Sequence, residues 1–180
     1  MKEVGQMHQF AHEPTQGLVE ALMDEYGNEV YKIAYLYVKD KQLAEDVFQE
    51  VFYKVMKSHH QFRQESSEKT WIIRITINTC KDVLRSSWLR RVTLIDKYDE
   101  SNFVTQSSVD VIRQEENQQL YDAIYKLPTK YKETIILYYF KEYTYEEISQ
   151  ILRIPQGTVQ SRLSRAKSKL KLLLTSEVTT

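Results

Sequence analysis

In the segment LVEALMDEYGNEVYKIAYLYV, the residues Leu18, Leu22, Tyr26, Val30, Ile33, Ala34 and Tyr37 follow one another at three- or four-residue intervals, the spacing of one buried helix face. Gly27 weakens that helix locally. The next segment, KQLAEDVFQEVFYKVMK, repeats the period with Leu43, Val47, Phe48, Val51, Phe52 and Val55 turned inward. Four of its remaining positions share the opposite face: Asp46, Gln49, Glu50 and Tyr53 stand at i, i+3, i+4 and i+7, an acidic and amide stripe with one aromatic. A charged outer face is the rule for a solvated helix, and a surface for a basic partner is the sharper alternative. A third helix is predicted after QESSEK, where Ser66, Ser67 or Thr70 can cap exposed N–H groups, and it runs through WIIRITINTCKDVLRSSWLRR. Its inward face is Ile72, Ile75, Thr79 and Val83; its outward row is Arg74, Asn78, Lys81 and Arg85.

The end of the chain has the same period with sharper boundaries. LPTKYKETIILYYF starts a helix after Leu127 with Pro128 in its first turn, and TYEEISQIL follows, with Thr144 and Glu147 in capping-box spacing. Pro155 cannot extend that helix, and Gly157 is expected to tolerate the turn at RIPQG. TVQSRLSRAKSKLKLLL then begins a new helix whose Val159, Leu163, Ala166, Leu170 and Leu173 face the core, so the pair reads as a helix-turn-helix.

Composition agrees with an all-α class. Of 180 residues 42% are hydrophobic, enough for one ordinary core or two small ones, while 4 Gly and 3 Pro are too few for a turn-rich sheet fold. The single cysteine, Cys80, excludes an internal disulfide framework and a multi-cysteine zinc site, which fits a reducing cytoplasm, and it reads as a packed thiol. No apolar run has signal or membrane-spanning length, so a soluble cytoplasmic chain without membrane insertion is expected.

Charge adds what periodicity does not show. Lys and Arg total 25, as do Asp and Glu, yet the signs are segregated: acidic from Glu20 to Glu50, basic from Arg74 to Arg91, acidic again from Val92 to Gln119, and basic without an acidic residue from Arg153 to Leu174. The acidic stretch containing DKYDESNFVTQSSVD has little periodicity and reads as a flexible linker. Two small helical domains are therefore expected, over 15–91 and 116–175, joined by an acidic linker over 92–115. In the outward row of the third helix, Arg and Lys can hold phosphates whatever the sequence, while Asn78 can offer both a donor and an acceptor to a base edge. In the last helix, Gln160, Ser161, Ser164 and Arg165 lie near the end that would enter a major groove, and Lys167, Lys169 and Lys171 lie farther on. A plain basic surface is the alternative for both. His8, His12, His59 and His60 lack metal-ligand context, and no phosphate-binding loop or nucleophile triad occurs, so no catalytic residue, metal or cofactor is expected.

AEDVFQEVFYKVMK, then TWIIRITINTCKDVLR, then LPTKYKETIILYYFKEYTYEEISQILRIPQGTVQSRLSRAKSKLK resemble the region 2 and region 4 signatures of bacterial extracytoplasmic-function sigma factors, in order and over almost the whole chain. The resemblance implies an alternative sigma factor that binds core RNA polymerase and directs promoter recognition. Its first domain would engage the β′ clamp helices and the minus 10 element, and its second the β flap and the minus 35 element. On that basis Asp46, Gln49, Glu50 and Tyr53 match the polymerase surface. The loop from Gln61 to Lys69, including Gln64, Glu65, Ser66 and Ser67, matches the segment that captures a flipped minus 10 base, beside Arg74, Asn78, Lys81 and Arg85. Thr158, Gln160, Ser161, Arg162, Ser164, Arg165 and Lys169 match the minus 35 positions. The capture loop departs from the family pattern in carrying two acidic residues, and the linker's negative charge suits the basic RNA exit path of polymerase. An anti-sigma factor is implied as a further partner. A stand-alone helix-turn-helix regulator would account for the last helix and leave the Asp46 stripe unused.

Overall fold

The computed structural model describes residues 13–94 and 115–177, and every element among them is helical. Of the stretch 92–115 read as a linker, 95–114 lie outside these residues; 92–94 continue the third helix, where no Gly or Pro stops it, and Glu115 begins the next one. His8 and His12 also lie outside them.

Helices α1 (Glu13–Val38), α2 (Lys41–Ser58) and α3 (Glu68–Leu94) pack on one another. Val30, Ile33, Ala34 and Tyr37 of α1 are fully buried, as are Val47, Val51 and Val55 of α2 and Ile72 of α3. Between α1 and α2 the chain turns at Lys39, whose φ is 55°, and the Asp40 carboxylate accepts from the Leu43 N–H at 2.8 Å, which sets where α2 starts. Gly27 does more than weaken its helix. A Cβ there would stand 3.3 Å from the Phe48 ring, so the absence of a side chain lets α1 lie close to α2.

The inward face of α3 is broader than its period indicated. Ile73, Thr76, Ile77 and Cys80 are buried beside Ile72 and Thr79, whereas Ile75 and Val83 are only half-buried. The reason is that α3 is covered from two sides, by α1 and α2 and also by a helix from the second half of the chain.

That second half comprises α4 (Glu115–Lys126), α5 (Thr129–Ile135), α6 (Tyr145–Leu152) and α7 (Gln156–Glu177), with α5 continuing into a π-helical turn over Ile136–Phe140. From Tyr131 through Leu137 every residue of α5 and its continuation is buried. Val159, Leu163 and Ala166 of α7 close this core as their spacing predicted. The turn between α6 and α7 is made differently from the expectation. Arg153 takes the left-handed conformation, φ 54°, and Gly157 sits inside the first turn of α7 with ordinary helical geometry. Its freedom is not used, because the Ile154 N–H returns to the Ser149 carbonyl at 3.1 Å and Pro155 accepts from Thr158 at 2.8 Å.

The capping box is present in full. The Thr144 hydroxyl accepts from the Glu147 N–H at 3.2 Å, and the Glu147 carboxylate accepts from the Thr144 N–H at 2.8 Å. Thr144→Ala is expected to lower stability by about 1 kcal/mol, read as a shift in the urea midpoint at constant slope.

Candidate nucleic-acid and protein interfaces

All four residues of the α2 stripe are exposed, because Val47, Val51 and Val55 commit the other side of the helix to the core. Glu50 lies 3.4 Å from Lys54 one turn on, and Lys57 sits 5.6 Å from the centre of the Tyr53 ring. Tyr53 is 53% exposed and Met56 beside it 38%, so the stripe carries apolar surface next to its carboxylates. Met56 had no sequence signal beyond its place one turn after Phe52.

The predicted capture loop follows a short 3-10 turn at His59–Gln61 and bends at Gln64, φ 56°. Of the three possible caps, Ser67 is the one used: its hydroxyl accepts from the Thr70 N–H at 3.1 Å and donates to the Thr70 hydroxyl at 2.9 Å. Arg63, Gln64, Glu65 and Ser67 are exposed, and Ser66 is half-buried. The rings of Phe62 in the loop and Trp71 in α3 lie 5.3 Å apart, with His59 set edge-on to Trp71 at 5.9 Å. His59 Nε2 is 2.6 Å from Glu68 Oε1, so one of the loop region's two carboxylates already has a partner and Glu65 alone faces outward. Sequence reasoning found no metal-ligand context for the histidines and missed this aromatic cluster, although Phe62 lies in the loop and Trp71 just after it.

The α3 row is not uniformly outward. Asn78 and Arg85 are exposed, and Arg85 pairs with Asp82 at 2.9 Å. Arg74 and Lys81 are half-buried under the second half of the chain, where Arg74 donates to the Gln150 carbonyl at 2.8 Å and Lys81 lies 2.6 Å from Glu133. A 3.6-residue period cannot show that a second unit covers part of an outer face.

On α7, Gln160, Ser161, Ser164, Arg165 and Lys169 are exposed and lie opposite Val159, Leu163 and Ala166. Ser161 donates to the Thr158 carbonyl at 3.0 Å, which leaves its oxygen free to accept. Thr158 is half-buried, and Arg162 donates to Glu133 at 2.9 Å, tying α7 to α5. Lys167 and Lys171 are exposed farther along.

Titratable groups inside the fold support structure more than chemistry. Burial pushes the Cys80 thiol up to about 12, which keeps it protonated and unreactive at neutral pH. Lys132 is 6% exposed, with its ammonium 4.2 Å from the Tyr125 ring centre and 5.7 Å from that of Tyr37. Burial lowers its pKa to about 8 from 10.5. The unfolded chain therefore holds a proton that the folded chain has released between pH 8 and about 10, and stability rises with pH across that window. Above about 10 the trend turns, because burial raises the pKa values of Tyr37 and Tyr143 and the unfolded chain ionises first. Lys132→Met is expected to abolish the rise and to stabilise the chain at pH 7 by on the order of 1–2 kcal/mol, measured by denaturant titration across the pH series.

Among the described residues no cluster of three or more His, Cys, Asp or Glu side chains could hold a metal ion, and no helix is long and apolar enough to cross a membrane.

Comparison with known proteins agrees with this layout. The family model for Sigma-70 region 2 matches residues 22–90, and that for Sigma-70, region 4 matches residues 117–170. The chain is 32% identical over 155 residues to the ECF RNA polymerase sigma factor SigM of Bacillus subtilis, an alignment covering 86% of this chain and 94% of that protein. It is 30% identical over 164 residues to the RNA polymerase sigma factor SigV of the same organism, covering 91% and 95%. Among solved structures, the sigma factor RpoE of Bartonella quintana, determined with the anti-sigma factor NepR, superposes with a TM-score of 0.68 at 22% identity, covering 87% of this chain and 96% of that one.

Proposed function

The chain belongs to the extracytoplasmic-function sigma factors of the sigma-70 family and is an alternative sigma factor that directs transcription initiation; from that premise we propose how its faces divide the work. The α2 stripe of Asp46, Gln49, Glu50 and Tyr53 takes the β′ clamp helices of core RNA polymerase. The Gln61 to Lys69 loop and the α3 row of Arg74, Asn78, Lys81 and Arg85 take the minus 10 element. The α7 row from Thr158 to Lys169 takes minus 35, with the β flap as a further contact of the second unit.

The observation that carries the polymerase assignment is the contrast between the two exposed faces. The α2 face is acidic, with Tyr53 as a large ring at its C-terminal end, and α7 presents cations and small polar side chains without a carboxylate before Glu177. Negative charge repels nucleic acid and suits a protein surface; the α7 face is the reverse. Phe62 in the capture loop and Trp71 just beyond it support base capture, since an extruded base loses stacking worth a few kcal/mol and needs a ring or a set of hydrogen bonds in exchange. The structural neighbour RpoE of Bartonella quintana stands in complex with the anti-sigma factor NepR, and we extend that kind of partnership to this chain.

Run-off transcription with purified core polymerase tests the whole reading. With this chain added, core is expected to start at a defined position on a promoter fragment, and core alone is not. Binding of duplex DNA without any start would return the chain to the class of stand-alone helix-turn-helix regulators.

A further inference from the structure

His59 ties the capture loop at both ends. Its backbone N–H donates to the Val55 carbonyl and closes the last turn of α2, while its side chain reaches across the loop to Glu68, the first residue of α3, with Nε2 2.6 Å from Oε1. An ionised carboxylate only accepts, so Nε2 donates. The imidazole is also set edge-on to Trp71 at 5.9 Å and lies 6.1 Å from Phe62, ring centre to ring centre. The other hydrogen bonds of the segment are local: the Phe62 N–H returns to the His59 carbonyl at 2.9 Å, His60 meets Gln61 at 3.1 Å, and Ser67 caps Thr70. Among the described residues, the contacts that span the loop are those of His59 with Glu68 and Trp71 and that of Phe62 with Trp71.

Neither helix needs the His59 side chain for its own end. Glu68 lies in the first turn of α3, where a carboxylate is favoured with or without a partner, and α2 is closed by the His59 backbone. What the side-chain bond fixes is the separation of the loop's ends, and with it the crest between them, where Gln64 stands at φ 56° and Arg63, Gln64 and Glu65 are exposed. The two side chains are 22% and 30% exposed, so water competes for this bond less than for a fully solvated pair. A loop already fixed when the strand arrives loses less freedom on binding than one that must order around it.

We propose that His59 is a positioning residue for minus 10 capture: through Glu68 and Trp71 it latches the loop's two ends together and so holds the Phe62 ring and the exposed crest in the arrangement that receives an extruded base. This rests on the assignment of the loop to minus 10 DNA.

The test uses holoenzyme carrying the full chain and the promoter fragment that supports run-off transcription, with 2-aminopurine, whose emission reports leaving the stack, placed at each minus 10 position of the nontemplate strand in turn. One position is expected to change emission with the parent chain. His59→Met, similar in length but without a donor, is expected to reduce that change and to weaken binding of the same fragment mismatched over minus 10 by about tenfold. His59→Gln, whose amide can donate to the same carboxylate, is expected to restore most of both, which a space-filling role alone would not do. Glu68→Met is expected to match His59→Met, and the double variant to be no worse than either, since each removes the same bond. Should His59→Met lose helicity, Glu68→Met against Glu68→Gln makes the same comparison. Binding and emission unchanged in His59→Met, equal losses in His59→Met and His59→Gln, or losses that add in the double variant would overturn the latch, provided that Phe62→Ala abolishes the emission change. If Phe62→Ala and Asn78→Ala leave that change intact as well, the loop is not the capture site and the latch falls with that assignment.

Discussion

Reversing both carboxylates of the α2 stripe, Asp46→Lys with Glu50→Lys, is expected to abolish co-purification with core RNA polymerase and to leave the chain as helical as before. The fold has little stake in either charge. Both side chains are exposed, and the Glu50 carboxylate stands 3.4 Å from Lys54 as a surface pair worth at most about 1 kcal/mol. An interface has much more at stake, because two attractive contacts become two repulsions, and like charges facing each other cost several kcal/mol. Tyr53 should carry the apolar share of the same contact, so Tyr53→Ala should weaken binding where Tyr53→Phe does not. Survival of core binding in the double reversal, with helicity intact, would place the polymerase surface elsewhere.

The α2 stripe was legible from sequence because everything that defines it lies within eight consecutive residues on a helix with one buried side. The same holds for Thr144 and Glu147, whose spacing alone gave the capping box later seen at 2.8 Å and 3.2 Å. It fails for α5, where Tyr131 through Leu137 are buried on every side and no amphipathic pattern can mark a face. It fails again for Glu133, an unremarkable acid in TKYKETI whose partners, Lys81 and Arg162, are 52 positions before it and 29 after it. Arg74 and Lys81 share one row of α3 as expected, but that row is not fully outward, because Gln150 of α6 and Glu133 of α5, both remote in sequence, take up these two side chains. Gly27 and Gly157 show the same limit at single residues. Propensity marks both as weak points, yet one serves a close approach to Phe48 and the other serves no turn, since Arg153 makes it.

Within α7 the exposed residues divide into two groups with different expected behaviour. Gln160, Ser161, Ser164 and Arg165 lie in the first half of the helix, the end that enters a major groove in a helix-turn-helix, and all four are exposed. Lys169 lies farther along, where backbone phosphates are within reach and base edges are not. Arg162, between the groups, is tied to Glu133 and steadies α7 against α5. Arg165→Ala is therefore expected to cost roughly 1–3 kcal/mol on the preferred minus 35 sequence and to relax preference at one position, since a base edge loses its donor. Lys169→Ala is expected to weaken binding on every sequence alike and to reduce the salt slope by about one, since a single phosphate contact disappears. Holoenzyme binding across a library of minus 35 variants, at two salt concentrations, separates the two. A preference shifted by Lys169→Ala and untouched by Arg165→Ala would mean that α7 lies in the groove by its other end.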